Sequence, residues 1–181
     1  LLMSGNNVWA IVLFYVIFAF SFYFLVDYKF KNKLIALYCA LAAVFITPII
    51  QMIIVGHNSK MIAVMMFPAI FLMLEKLYDI FAEGKAKENI FRVLLYFGIL
   101  VFFIHLQMSS NHVQMLFYFF SCIGIFMVYR IISNAVYKLN IKPALAAFAL
   151  FLVAVGLSAM MYADSYLSSH EYNKYSIRGT P

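Results

Sequence analysis

Apolar residues run along this chain in long blocks separated by short polar stretches, and the blocks define the elements. A helix crossing about 30 Å of hydrocarbon at roughly 1.5 Å per residue needs about 20 mainly apolar residues. Six stretches meet or approach that length: Val8 to Val26, Leu34 to Val55, Met61 to Phe81, Val93 to Met108, Val113 to Ile132 and Pro143 to Ala163. The pattern predicts an all-α fold, a polytopic transmembrane bundle of about six helices over residues 1–163. Residues 164–181 are too polar to span and are expected to begin an extracytoplasmic loop or domain. Glu75 and Lys76 interrupt the third block near its end, where their side chains are expected to reach the headgroups.

Composition strengthens this picture. Hydrophobic residues make up 66% of the 181 and charged residues 11%, whereas soluble domains are roughly half apolar and about a quarter charged. The bilayer is therefore the first partner of this chain, and its stability is expected to come from helix hydrogen bonds and packing between helices. A net charge of +6 would suggest nucleic acid in a soluble protein. Here the basic residues sit in short loops between apolar blocks, so no nucleic-acid partner is expected. The chain begins at Leu1 without an initiator methionine and ends directly after a polar segment, as an internal piece of a longer protein does.

Those basic residues predict an orientation, because Lys and Arg are retained on the cytoplasmic side. Ten of the 13 fall in three alternate connections: Lys29, Lys31 and Lys33; Lys76, Lys85, Lys87 and Arg92; Arg130, Lys138 and Lys142. Lys60, Lys174 and Arg178 fall on the other side. Both ends of the chain are then outside, together with the polar stretches Ser4 to Asn7, Gly56 to Lys60, Gln107 to His112 and Asp164 to Gly179.

The outer stretches carry the candidate chemistry. Gly56-His57-Asn58-Ser59-Lys60 has a plain account as a hairpin tip, with Gly56 ending one helix, Asn58 capping the next and Lys60 snorkelling. Its functional account joins it to Ser109-Ser110-Asn111-His112, because the third and fifth helices begin beside these stretches and point their N-terminal N–H groups at one layer. Lys60 adds a mobile charge there, and Arg178 a planar fork suited to phosphate oxygens. His57 and His112 are candidates for proton transfer, and His105 for hydrogen bonding between helices. Asn111 with Gln114, and Gln114 with Tyr118, are spaced to meet across a helical turn. Pro48 and Pro68 are each expected to kink a helix and free the carbonyl four residues earlier, at Val44 and Val64. Ser168 and Glu171 have capping-box spacing, predicting a short helix on the outer surface. Cys39 and Cys122 lie in apolar blocks, and no spacing supports a disulfide framework or a metal site.

Several of these residues resemble those of one family. Gly56-His57-Asn58-x-Lys60-x-x-Ala63 followed by Pro68, then Asn111-His112-x-Gln114-x-x-x-Tyr118, Glu171-Tyr172 and Tyr175-Ser176-x-Arg178-Gly179, resemble the YfhO-type bacterial multipass membrane proteins. The resemblance runs from about Asp27 to Gly179. It implies a GT-C-like membrane glycosyltransferase in the bacterial cytoplasmic membrane, moving a sugar from a polyprenyl-phosphate carrier to a cell-envelope glycan or protein at the extracytoplasmic face. In such enzymes an acidic residue in the first large outer loop carries the chemistry; that loop would lie upstream of Leu1, and the catalytic base has no candidate in this sequence. The residues implied in substrate binding are His57, Asn58, Lys60, Asn111, His112, Gln114, Glu171 and Arg178. A divalent metal would fit such chemistry, but no ligand set in this sequence supports one. The competing functions are a transporter or flippase of a lipid-linked or polar solute, and an assembly subunit. Transporters place ionisable groups near the bilayer midplane, and the centres of these apolar blocks are almost free of charge.

Overall fold

The structure, a computed structural model, describes residues 8–173, and among them every regular element is helical. In order these are α1 (Val8–Phe30), α2 (Lys33–Val44), α3 (Thr47–Ile54), α4 (Asn58–Met65), α5 (Phe67–Ala82), α6 (Ile90–Ser109), α7 (Val113–Val136), α8 (Lys142–Met161) and α9 (Ala163–Asn173). Six spans long and apolar enough to cross a membrane result, because α2 with α3 and α4 with α5 each act as one broken span. The chain is an all-α multipass membrane bundle. Its first, fourth and fifth spans outrun their apolar blocks at the end where Lys29, Arg92 and Arg130 lie. Long basic side chains let the helix continue there while their heads stay polar.

One span organises the rest. In the α4–α5 span 72% of the most apolar window is buried, against 17–28% in the other five, so this span is the axis and the others are its wall. It packs against α1, α6, α7 and α8, while α2 lies outside on α1. The buried face of the axis combines methionines and alanines, Met61, Met65, Met66, Ala63 and Ala69, with Ile70, Leu74 and Leu77. Without a hydrophobic drive between helices in lipid, close approach depends on small residues and on side chains that adapt their shape. The outer helix α7 joins the axis through ring contacts, Phe67 with Phe119 at 5.0 Å and Phe71 with Phe126 at 4.8 Å.

Both broken spans break at proline. Pro48 falls in the first turn of α3 and Pro68 in the first turn of α5, where the missing N–H costs least. The carbonyl of Val44 is freed as expected and accepts the Tyr15 hydroxyl at 2.6 Å. At the second break the outside donor goes one residue earlier: Gln107 Nε2 donates to the Ala63 carbonyl at 2.7 Å, and the Met66 N–H turns toward Ile62 and Val64.

Candidate functional site

The two hairpin tips named from the sequence are built alike. After α3, Gly56 takes a left-handed φ of +76°, its N–H donates to Ile53 at 3.1 Å, and the His57 N–H donates to Met52 at 2.8 Å. This pair of bonds closes a helix end with a left-handed residue. After α6, Asn111 takes that place with a φ of +55°, a conformation asparagine tolerates better than most side chains, and its N–H donates to Met108 at 3.0 Å. In each tip a histidine follows at the N-cap of the next helix, His57 before α4 and His112 before α7, and neither makes a side-chain cap bond. Asn58 is thus the first residue of α4, where the sequence had suggested its cap.

The tips meet. Gly56, Asn58, Ser59 and Ile62 from one, with Ser109, Ser110 and Asn111 from the other, line a cleft of about 310 Å³. Ser110 is buried and its hydroxyl donates to the Gln107 carbonyl at 2.7 Å, while the Ser109 hydroxyl donates to Leu106 at 2.8 Å. Beneath the cleft, Gln107 is fully enclosed: its amide is spent on Ala63 and its Oε1 has no hydrogen-bond partner among the described residues. His105 and His112 each bury an Nδ1 atom without a partner there. The site is polar, mostly neutral, and holds more acceptor capacity than its own donors satisfy.

Of the residues singled out from the sequence, Asn58 and Asn111 line the cleft. His57 is exposed at the rim, while Lys60 and His112 are half-buried in the same two tips. Gln114 is exposed on α7 and donates to the Tyr118 hydroxyl at 2.9 Å, one of the two pairings its spacing suggested. Glu171 is exposed on α9; Arg178 lies outside the described residues. Helix α9 begins after Tyr162, with Asp164 in its first turn, so Ser168 and Glu171 fall inside the helix and not at a capping box. Tyr162 ties this junction to the tips, its ring lying edge-on to His105 at 6.4 Å and to Tyr166 at 5.1 Å. Burial, and then the neighbouring Tyr162, push the Tyr166 phenol above its ordinary pKa, so it stays a neutral donor.

A second polar cluster lies at the opposite end of the bundle. Glu75, expected to reach the headgroups, is instead fully buried. Its carboxylate pairs with Lys29 of α1 and faces Arg130 of α7, whose guanidinium nitrogens lie 2.8 and 2.9 Å from its two oxygens. Arg130 also stacks over Tyr78 at 4.0 Å, and Tyr78 accepts from Asn134 Nδ2 at 3.2 Å. The neighbouring Asp79 accepts the Tyr28 hydroxyl at 2.6 Å. One signal in the sequence pointed here: Glu75, Arg130 and Lys29 all fall toward the same end of their spans, and charges of opposite sign near one membrane boundary are expected to pair.

Among the described residues no group of three His, Cys, Asp or Glu side chains is placed to hold a metal ion. Comparison with protein-family models, with curated proteins and with solved structures finds no match. The fold and the two polar ends define a multipass helical membrane protein with one charged, internally paired end and one neutral cleft formed by hairpin tips.

Proposed function

We propose that this membrane protein acts on a lipid-linked sugar, as a glycosyltransferase moving the sugar from a polyprenyl-phosphate carrier to a cell-envelope glycan or protein at the outer face of a bacterial cytoplasmic membrane. The observation that carries this is the shared cleft of the α3–α4 and α6–α7 tips at the edge of the membrane spans. A polyprenyl tail is at home only in hydrocarbon, and its phosphate needs donors at the boundary. Ser59 and Asn111 offer neutral donors there, beside Asn58, and the first-turn N–H groups of α4 add to them. The acceptors beneath, unpaired among the described residues, suit the hydroxyls of a sugar. His57, Lys60, His112 and Gln114 flank the cleft as further headgroup ligands. Each of these residues is assigned to binding, and bond breaking to none of them.

A second reading, a transporter or flippase of a lipid-linked or polar solute, is favoured by one observation. Glu75 places an ionisable group inside the bundle, and such groups mark pathways in membrane proteins. Its two cationic partners make a structural tie the simpler account of that charge.

The test uses purified protein with a polyprenyl-phosphate-linked sugar and follows release of the carrier. Asn58→Ala and Asn111→Gly, the second keeping the left-handed turn, should each lower transfer about tenfold, the loss expected of one hydrogen bond to a charged group, with thermal stability kept. Wild-type transfer in both variants would remove the cleft from the mechanism. Carrier crossing proteoliposome membranes without release of sugar would establish the second reading.

A further inference from the structure

The charged end of the bundle holds a cleft of about 510 Å³ that the proposed function does not use. Tyr28, Lys29 and Lys31 line it from the end of α1, and Asp79, Ala82 and Glu83 from the end of α5. Two ammonium groups and two carboxylates thus face one space. That balance discriminates among ligands. An anion drawn by the lysines would leave Asp79 and Glu83 beside a like charge, and a simple cation would meet the converse problem at Lys29 and Lys31. A group carrying one charge of each sign, a few bonds apart, complements both pairs.

The contacts within the cleft show which charges remain available. Lys29 is spent on Glu75, and Glu83 pairs with Lys85 at 3.3 Å. Asp79 accepts the Tyr28 hydroxyl through Oδ2 alone, leaving Oδ1 without a donor among the described residues. Lys31 lies over the Tyr28 ring at 4.4 Å and has no carboxylate partner among the described residues. One cation and one acceptor are therefore open on opposite walls.

Depth identifies the source of the ligand. The first span ends at Phe30 and the third at Ala82, so the cleft sits where hydrocarbon gives way to headgroups. Phe30 beside it is 68% exposed, and Lys76 lies over the rings of Tyr28 and Tyr96 at 5.8 and 5.0 Å. Tyrosines with a basic side chain are what the boundary layer of a membrane protein collects. We infer that this cleft binds the headgroup of a primary-amine zwitterionic phospholipid of the phosphatidylethanolamine type, its phosphate on Lys31 and its ammonium on Asp79. A trimethylated amine has no N–H to give Asp79, and a glycerol headgroup has no cation for it.

The test titrates the purified full chain, in a neutral detergent, with short-chain phosphatidylethanolamine, phosphatidylcholine and phosphatidylglycerol, and counts bound lipid by native mass spectrometry. Phosphatidylethanolamine should be retained about tenfold better than the other two, the discrimination expected of one charge-assisted hydrogen bond. Asp79→Asn should reduce it to the phosphatidylcholine level. Lys31→Gly, at an exposed position whose left-handed φ of +53° glycine accepts, should weaken all three lipids together, because each carries the phosphate. Equal retention of the three lipids, phosphatidylglycerol ranking first, or unchanged retention in both variants would overturn the assignment. Tighter binding of water-soluble phosphoethanolamine than of the lipid would overturn the lipid source.

Discussion

At Glu75 a carboxylate lies wholly inside an apolar bundle, held between Lys29 and Arg130. Taking such a charge out of water is costly, and removing it leaves two cations facing each other with nothing between them. Glu75→Ala should therefore destabilise the protein by about 3–5 kcal/mol, read as a fall in unfolding temperature in detergent. Lys29→Met should cost much less, because the Lys29 side chain is 39% exposed and water already screens its pair. A Glu75→Ala protein that melts like the wild type would show the triad to be idle. The sequence placed Glu75 at the end of its apolar block but could not tell an outward from an inward side chain. That choice is made by Arg130, 55 positions away and on another helix.

Among the elements, the two broken spans show how a membrane helix tolerates proline. Pro48 and Pro68 marked both breaks in the sequence, since each removes a backbone donor and sets its own φ. The donors that replace them were not legible, because Tyr15 and Gln107 come from other helices, 29 and 44 residues away. Gln107→Leu keeps the volume but leaves the Ala63 carbonyl buried without its outside donor. It should cost about 1–3 kcal/mol, measured by thermal unfolding in detergent. Tyr15→Phe at the other break should cost less, because Tyr15 is only partly buried. No loss in Gln107→Leu would mean that the break at Met66 satisfies its own carbonyls. The hairpin tips were more legible, since Gly56 and Asn111 are residue types that accept a left-handed turn. That both lie at one end of the bundle followed from counting spans, as successive membrane helices alternate in direction; that they touch in one cleft did not, because it depends on which spans are neighbours.

For the whole molecule, six spans and their order could be read from apolar block length alone. Which span would be the axis could not, because every block is apolar and lipid accepts what a core accepts. The burial of α4–α5 depends on its methionines and alanines fitting the neighbouring helices, and fit is not a property of one segment. Orientation rests on the basic loops and has a direct measurement. In a background with Cys39 and Cys122 replaced, cysteine at the exposed Ser59 should react with an impermeant thiol reagent in intact cells, and cysteine at the exposed Lys85 only after permeabilisation. The opposite labelling would turn the molecule over and place the tip cleft in the cytoplasm.

The triad around Glu75 also sets an order of events at the ribosome. Lys29 is synthesised before Glu75 and can meet it as soon as the third span enters the bilayer, while Arg130 arrives only after two further segments have been made. The nascent chain thus carries a half-matched acid in hydrocarbon until the fifth span docks. A chain stopped before that span should therefore be cleared by a quality-control protease faster than one that includes it.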